Sequence, residues 1–439
     1  MTPETFPPKT FSRNNGSVKN VSDENKSYRH QRWLVAHNGW NTEQRINPNQ
    51  RWSITQMLDY GVRGFALDIE GDDQQDLELK HDILVDSVKG WLGIRDELKT
   101  WMEKPENGRE IVTLFFESRV SGPERGKQTS PLHALDESLK AISCYRSGRQ
   151  VQEDAIRYRK LKEMIDGDAD HPSHRLFVFI EKEPDEGWQR VFPVMRKSFS
   201  ENIYGNPSLK EKTWTDLRDG SSISELSPMF MNHFGLVPDG DEFDRNTTRL
   251  IVKHSIAFAF AFSGCFPAFI SLDYINWKPG DVGPMDAIGA LQAARTLSVS
   301  PFQFRKVNDF DSVHVAFDVD ADYNIKDTRI TGFDVDIDDK GITDIKPIWG
   351  DKNSVGVSGV QLVSVGKRGL VNMRYKTGTN GWPEKWLTKY EKFGDSNNNK
   401  EATYEFYQSV IVGVCVRQQQ GYGATDFATA AIRWPDENV

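Results

Sequence analysis

The stretch WSITQMLDYGVRGFALDIE, residues 52–70, contains a helix followed by a strand. Ser53 is a suitable N-cap and Gly61 a suitable helix stop, which places a short helix between them. The run that follows is apolar and β-rich and ends in Asp68 and Glu70. A helix joined directly to a buried strand is the repeating unit of a parallel α/β fold.

Similar strand-like runs occur on both sides of this unit, separated by helical segments such as residues 92–105. They are WLVAHN (33–38), VRGFALDIE (62–70), LELKHD (77–82), EIVTLFFES (110–118), RLFVFIEKE (175–183), PMFMNHF (228–234) and PAFISLDY (267–274). Seven or eight strands favour a TIM-type (β/α) barrel over an open doubly wound sheet, because no Gly-rich nucleotide loop follows the first strand.

Polar residues occur at or just after the ends of these runs. They are His37, Asn38, Asp68, Glu70, His81, Glu117, Lys182 and Asp273. The carboxyl ends of barrel strands form the active site, so these side chains are predicted to lie together. A single histidine at a strand end is more often structural than catalytic. Two imidazoles with several oxygen ligands, however, supply the acid, the base and the cation site that phosphodiester cleavage uses.

The bulk composition excludes some classes of function. The chain has 439 residues with 37% hydrophobic and 11% aromatic residues, enough for a large core and a second domain. A formal charge of -9 argues against general attraction to nucleic acid or to an anionic membrane.

The three cysteines, Cys144, Cys265 and Cys415, are far apart and are expected to be reduced thiols. No secretory signal or transmembrane run is expected. The apolar run 254–272 is interrupted by Gly264 and Pro267, which predicts a helix followed by a buried strand. We therefore expect a soluble protein, with its compartment left open between secretion and peripheral membrane attachment.

The C-terminal part has a different sequence pattern, which indicates short strands and turns and has no helical periodicity. Three segments, 330–349, 357–376 and 411–434, share a glycine, an alternating strand, a turn and a second strand. Their anchors Gly332, Gly359 and Gly413 are 27 and 54 residues apart. This pattern predicts a smaller all-β domain with threefold repeats, similar to a β-prism.

The predicted organisation has four parts. They are a polar extension at 1–29, a barrel at 30–305, a linker or first strands at 306–328 and an all-β domain at 329–439. A long insertion in the last part carries Trp382 and Trp386, which either contact a membrane or glycan or anchor the loop on the β core.

The motifs AHNGWN, SITQMLDYGVRGFALDIE, LELKHD and EIVTLFFES, in this order, resemble the X-domain of phosphatidylinositol-specific phospholipases C and related phosphodiesterases. The likeness covers residues 30–280 or so and weakens after the first motifs. It implies a barrel in which His37 is the general base on the inositol 2-hydroxyl and His81 the general acid on the diacylglycerol oxygen.

The resemblance also implies a cation. Asn38, Asp68 and Glu117 match the calcium-dependent type, because Asp68 occupies the position of the arginine in the metal-free type. Ala66 departs from the pattern where an acidic residue is expected, so either water or Glu70 completes the calcium shell. Lys182, with Arg63, Asp273 and Tyr274, would contact the phosphate or headgroup.

Three functions remain open from the sequence. The first is a phospholipase C acting on phosphatidylinositol at a membrane or micelle surface. The second is a phosphodiesterase acting on another headgroup, from a sphingolipid or a glycerophosphodiester. The third is a lipid or glycan binder without catalysis.

Overall fold

The chain divides into two compact units. The first comprises Met1–Asn206, Leu217–Thr248 and Pro267–Gly289, and the second Pro207–Asp216, Arg249–Phe266 and Ala290–Val439. The structure, a computed structural model, describes residues 24–40, 49–70, 77–79, 90–118, 131–181, 192–202, 228–235, 246–247, 250–251, 254–255, 258, 266–275, 283–293, 312–315, 328–338, 341–351, 353–365, 370–378, 381, 383, 387, 399–405, 410–419 and 423–432. The boundaries predicted at residues 30, 305 and 329 stay predictions.

The helices are short and alternate with strands. They are α1 (Ile54–Tyr60), α2 (Trp91–Met102), α3 (Pro131–Leu139), α4 (Arg149–Tyr158), α5 (Leu161–Asp166), α6 (Met195–Ser198) and α7 (Pro284–Ala293), with 3₁₀ turns at Tyr28–His30 and Pro105–Asn107. Helix α1 begins and ends as the sequence predicts. Ser53 and Gln56 form a reciprocal capping box, and Gly61 ends the helix at φ 127°.

The first unit is built on one mainly parallel sheet. Its strands are β1 (Trp33–Ala36), β2 (Gly64–Glu70), β3 (Glu78–Leu79), β4 (Val112–Ser118), β5 (Leu176–Ile180), β6 (Ser200–Glu201), β7 (Met229–Asn232) and β8 (Phe269–Leu272). The order across the sheet is β5-β4-β2-β1-β8-β7-β6, and all of these neighbours are parallel.

The segment LELKHD differs from its prediction. It contributes only the two-residue strand β3, which pairs antiparallel with the carboxyl end of β2 and lies off the main path of the sheet. Leu79 is buried while Glu78 is exposed, so the segment adds an edge and not a barrel strand. The remainder of the run, from Lys80 onward, lies outside the described residues.

The sheet curls so that side chains from its two edges meet. Phe179 on β5 and Phe199 beside β6 have ring centroids 4.7 Å apart, although their strands are at opposite ends of the sheet order. Phe115 on β4 contacts both rings and also Phe269 on β8. Aromatic side chains therefore fill the inside of the curled sheet, as in the interior of a TIM-type barrel.

The amino end of this interior is covered by residues 24–30. Tyr28 is fully buried, and its ring contacts Trp33, Phe177 and Phe269 near the starts of three strands. The backbone of Lys162 donates a hydrogen bond to Glu24, which holds the segment against α5. The opposite, carboxyl end is where the polar residues lie.

The second unit contains antiparallel sheets, and they lie in the C-terminal part of the chain, where β-structure is predicted. Its strands are β9 (Ser312–Val315), β10 (Thr328–Asp338), β11 (Gly341–Asp351), β12 (Val357–Val365), β13 (Leu370–Thr377), β14 (Asn399–Glu405), β15 (Val410–Gln419) and β16 (Gly423–Ile432). They form the sheets β10-β11, β13-β12-β14 and β16-β15-β9. Side chains of β10 to β13 share one apolar core that includes Phe333, Ile345, Leu362 and Met373.

The predicted repeat appears in the register of three hairpins. Strands β10, β12 and β15 each have a register shift at the predicted glycine, between Ile330 and Gly332, Val357 and Gly359, and Ile411 and Gly413. Each has a second shift four to five residues later. A Cβ atom on Gly332 would lie 2.5 Å from the hydroxyl of Tyr375, so a larger residue at this anchor would have to displace the Tyr375 ring.

Two other expectations concern single features. Cys144 is buried and has no disulfide, as predicted. Within the described parts of the chain, no helix is long and apolar enough to cross a bilayer. Trp382 and Trp386 lie outside the described residues.

Candidate active site

A ring of polar side chains lies one layer above the aromatic interior. Side chains on a strand alternate between its faces, so the residue two positions after an interior residue also faces inward. The interior layer consists of Val35, Ala66, Phe115, Phe179, Phe199, Phe230 and Phe269. Two residues further along each chain segment lies the polar ring: His37, Asp68, Glu117, Glu181, Glu201, Asn232 and Ser271.

A pocket opens inside this ring. Its lining combines members of the polar ring with the aromatic layer below: His37, Ala66, Phe115, Phe116, Glu117, Met195, Glu201, Phe230, Asn232 and Ser271. Such a mixture of apolar and polar lining residues is typical of a small-molecule site.

His37 directly follows β1 and is held on its edge and on its face. Its Nδ1 lies 2.8 Å from Oδ1 of Asp273, which follows β8. Its ring stacks on Phe234 with centroids 3.7 Å apart and planes 9° apart. The imidazole keeps 16% of its surface exposed while the carboxylate of Asp273 is fully buried. Because Nδ1 faces the carboxylate, Nε2 is the nitrogen left to act on a substrate.

The carboxylate of Asp273 is positioned by a small amide network. Asn49 donates from Nδ2 to Oδ1 of Asp273 at 2.9 Å. Gln50 donates to the backbone carbonyls of His37 and Leu272 at 2.8 and 2.9 Å, which ties the ends of β1 and β8 together. The orientation of the His37 ring is thus fixed before any ligand binds.

The pKa of His37 is raised above its ordinary value of 6.5. Burial acts to lower it, but the negative charge of Asp273 and its hydrogen bond to the ring raise it, and the carboxylates of Glu117 and Asp68 add to this effect. The site therefore favours the imidazolium form, which is the form that His37 takes after accepting a proton.

The three predicted calcium ligands lie close to this dyad in the fold. Asp68 and Glu117 are direct neighbours in the register of β2 and β4 and face the interior. Asn38 is buried in the left-handed region at φ 46°, and its Nδ2 donates to Oδ1 of Asn49 at 3.4 Å. Because the amide nitrogen is turned to Asn49, the oxygen is the atom left to coordinate a cation.

The donor set suits a hard cation. Carboxylate and amide oxygens are the ligands that calcium prefers. Within the described ranges, no group of three or more His, Cys, Asp or Glu residues is placed to hold a metal. A calcium ion bound by Asp68 and Glu117 would therefore need the amide of Asn38 and water to complete its shell.

Of the other predicted site residues, some lie outside the described residues and some lie near the His37–Asp273 dyad. His81 and Lys182 lie outside the described residues, so their roles stay predictions. The backbone of Glu70 pairs with Glu78 of β3. Tyr274 lies next to the dyad at φ 45°, with the guanidinium of Arg51 5.6 Å above its ring.

Arg63 is found at the opposite end of the sheet from the site. It precedes β2, its Nε lies 2.8 Å from Oε2 of Glu110, and its Nη1 donates to the carbonyls of Leu58 and Val62. Its guanidinium also stacks on Trp101 at 4.9 Å. The structure thus gives Arg63 a buried structural role at the amino end, where it cannot meet a headgroup bound beside His37.

We expect Arg63→Ala to lower the free energy of unfolding by about 3 kcal/mol, because it leaves Glu110 and two carbonyls without their partner. Urea denaturation measures this. Arg109→Ala is the matched control: Arg109 is an exposed arginine that pairs with Glu24 and Asp166, and its loss should cost about 1 kcal/mol or less. If Arg63→Ala left the stability unchanged and lowered only the substrate affinity, Arg63 would contact the headgroup after all.

Sequence reasoning missed three members of the pocket wall, Glu201, Asn232 and Ser271. Strand β6 is only two residues long, too short to be recognised from periodicity. The alternation of Phe199 with Glu201, and of Phe230 with Asn232, was the available signal. Each pair puts a polar residue two positions after a buried aromatic one.

Comparison with solved structures finds bacterial phosphatidylinositol-specific phospholipases C. One structure of the Staphylococcus aureus enzyme covers 62% of this chain and 95% of its own, at 11% identity and a TM-score of 0.42. A calcium-dependent enzyme from a Pseudomonas species, in complex with myo-inositol, covers 36% of this chain and 59% of its own, at 11% identity and a TM-score of 0.27. No protein-family model and no curated protein matches. The residues of the pocket, and not this likeness, carry the functional assignment.

Proposed function

We propose that the protein is a phosphodiesterase of the phospholipase C type that cleaves phosphatidylinositol. The observation that carries this proposal is the His37–Asp273 dyad, 2.8 Å long and set in a pocket rimmed by carboxylates. An imidazole oriented by a buried carboxylate is a general base, and a substrate that holds its own nucleophile needs little more than a base and correct positioning.

The reaction proceeds by internal attack. Nε2 of His37 removes the proton from the inositol 2-hydroxyl, and the freed oxygen forms a bond to phosphorus. The bond between phosphorus and the diacylglycerol oxygen breaks, and His81 supplies the proton that this oxygen takes up. The products are diacylglycerol and inositol 1,2-cyclic phosphate, which water can then open.

Asp273 stabilises the imidazolium that forms when His37 accepts its proton. Asn49 and Phe234 hold the carboxylate and the ring in place during this step. Calcium, held by Asn38, Asp68 and Glu117, would neutralise negative charge on the phosphoryl oxygens. Lys182 is proposed to meet the same phosphate.

The substrate places the protein at a membrane or micelle surface. No nucleic acid partner is proposed, in keeping with the net charge of -9. We further propose that the predicted all-β domain contacts the membrane or a glycan through the insertion that carries Trp382 and Trp386. Secretion or peripheral membrane attachment would bring the protein to such a surface.

The test is phosphorus NMR of phosphatidylinositol in detergent micelles, once with calcium and once with excess chelator. We expect a cyclic phosphate signal only in the sample that contains calcium. The same signal in the sample with chelator would mean that the reaction does not need calcium, and the proposed roles of the two histidines would stand. No headgroup release in either sample would contradict the proposal, and a panel of sphingolipid and glycerophosphodiester substrates would then test the other headgroups.

A further inference from the structure

Each member of the His37–Asp273 dyad is followed by a residue in the left-handed backbone conformation. Asn38 follows His37 at φ 46°, and Tyr274 follows Asp273 at φ 45°. Among the residues that the structure describes, these two are the ones other than glycine with a positive φ. The backbone thus leaves the extended conformation directly after each member of the dyad.

The two turns differ in how well their residue suits this conformation. Asparagine enters the left-handed region more readily than most residues, because its short polar side chain can form hydrogen bonds locally. Tyrosine is bulky, and in this region its Cβ atom lies too close to the following carbonyl oxygen. A left-handed Tyr274 therefore persists only if its surroundings hold it there.

The side chain of Asn246, in the segment between β7 and β8, holds this turn by its carbonyl groups. Its Nδ2 donates to the backbone carbonyl of Asp273 at 2.5 Å and to that of Tyr274 at 3.0 Å. Asn246 is buried, and its Oδ1 has no hydrogen-bond partner among the described residues. Within this part of the chain, the side chain therefore bonds only to the two peptide groups on either side of the Cα atom of Tyr274.

The amide groups of the same two peptide units are held by other residues. The backbone amide of Tyr274 donates to the carbonyl of Asn49 at 2.7 Å, and that of Ile275 donates to Oε1 of Gln50 at 3.1 Å. With Asn246 on the carbonyls, all four polar groups of the two peptide units have a partner. Both backbone dihedral angles of Tyr274 are thereby fixed.

The turn determines where the carboxylate of Asp273 lies. The first of the two peptide units is bonded directly to the Cα atom of Asp273. If Tyr274 returned to a negative φ, this unit would rotate and Asp273 would shift relative to His37. The hydrogen bond between Oδ1 of Asp273 and Nδ1 of His37 is 2.8 Å long, and such a bond weakens steeply when its distance or angle changes.

We propose that Asn246 is a positioning residue, which holds the left-handed turn at Tyr274 and thereby keeps the carboxylate of Asp273 against His37. Asn246 is not among the described residues that line the pocket, so it acts through Asp273 and not on a ligand. Its effect on the reaction rate rests on the proposed function, whereas its effect on the geometry of the dyad does not.

The first experiment is proton NMR of the full-length protein at one fixed pH, which requires no turnover. The Nδ1 proton that His37 donates to Asp273 should give a low-field signal, assigned by its loss in His37→Ala. We expect Asn246→Ala to move or broaden this signal. Asn107→Ala is the matched control, because Asn107 is a buried asparagine before β4 whose Nδ2 donates to the carbonyl of Trp101 at 2.8 Å. It should leave the signal unchanged.

The second experiment measures cleavage of phosphatidylinositol. Asn246→Ala should lower kcat about tenfold and change KM little, because the base is misplaced while the pocket is kept. This loss should be about threefold smaller in the background of Tyr274→Asn, since asparagine keeps the left-handed turn with less support. Asn246→Ser, which keeps one donor, is the milder variant if Asn246→Ala does not fold, and its loss should be smaller.

The two experiments separate the positioning role from the proposed function. A changed NMR signal in Asn246→Ala, with no lipid cleavage by any form of the protein, would support the positioning role and refute the proposed function. An unchanged signal with an unchanged kcat in folded Asn246→Ala or Asn246→Ser would overturn the positioning role and leave the function standing. An equal loss of kcat with and without Tyr274→Asn, or in Asn107→Ala, would also overturn it.

Discussion

His37→Ala is expected to lower kcat for phosphatidylinositol cleavage about 10³-fold, because it removes the group that accepts the proton of the attacking hydroxyl. The change leaves the amide network of Asn49 and Gln50 with most of its partners, since Gln50 bonds to the backbone carbonyl of His37 and not to the ring. Substrate affinity should therefore change much less than kcat. Initial rates over a range of micelle concentrations separate the two quantities.

His133→Ala is the matched control, because His133 is an exposed histidine on α3 that pairs with Glu137 in the same helix. Its rate should equal that of the unmodified chain. A rate for His37→Ala within tenfold of the unmodified chain would refute the base assignment. Lipid binding by the double variant His37→Ala, His81→Ala at the unmodified level, when the unmodified protein itself has no activity, would instead favour a binding protein without catalysis.

Asp273→Asn is expected to lower the plateau rate about 100-fold, because the carboxylate that orients the imidazole and stabilises its cation is replaced by a neutral amide. A general base works in its neutral form, so the rate of the unmodified chain should rise with pH through the pKa of His37, which lies above 6.5. Loss of the Asp273 charge lowers this pKa. The midpoint of the rate profile should move to lower pH, which a pH series of kcat/KM measures.

The His37–Asp273 pair should also make the stability of the fold depend on pH. The reaction rate rises with pH, but the contribution of this pair to stability falls. A histidine with a raised pKa in the folded state stabilises the fold fully below its unfolded value of 6.5, and this contribution is lost as pH rises through the folded pKa. The difference in Tm between the unmodified chain and Asp273→Asn should therefore shrink as the pH rises above 6.5. Asp96→Asn, at an exposed site on α2, is the control for the charge change. A rate midpoint that does not move in Asp273→Asn would separate Asp273 from the base.

Much of the barrel could be predicted from local pattern. Six of the seven segments predicted as strands contain strands of the parallel sheet, because buried apolar runs and helix caps are local signals. Strand β6 could not be found, since two residues carry no periodicity. Segment 77–82 has the composition of a strand but pairs as a short antiparallel edge strand with β2. Its own sequence does not determine this pairing, because the pairing depends on the neighbouring strand.

In the candidate site, too, local sequence pattern predicts some features, while others depend on which strands are neighbours in the fold. The alternation of strands predicts that His37, Asp68 and Glu117 share one end of the barrel. The hydrogen bond between His37 and Asp273 joins residues 236 positions apart and exists because β1 and β8 are adjacent. Asn49 and Gln50 precede α1 in a polar stretch with no distinctive pattern, so only the fold shows that they position the dyad.

The three hairpins of the second unit share a backbone geometry that most of their side chains do not share. One glycine and a loose alternation are all that aligns their sequences, yet each hairpin has both register shifts at the same distance from that glycine. A register shift bends a strand and increases its twist, so all three hairpins bend at the same two places. Three unlike sequences therefore specify one bent hairpin.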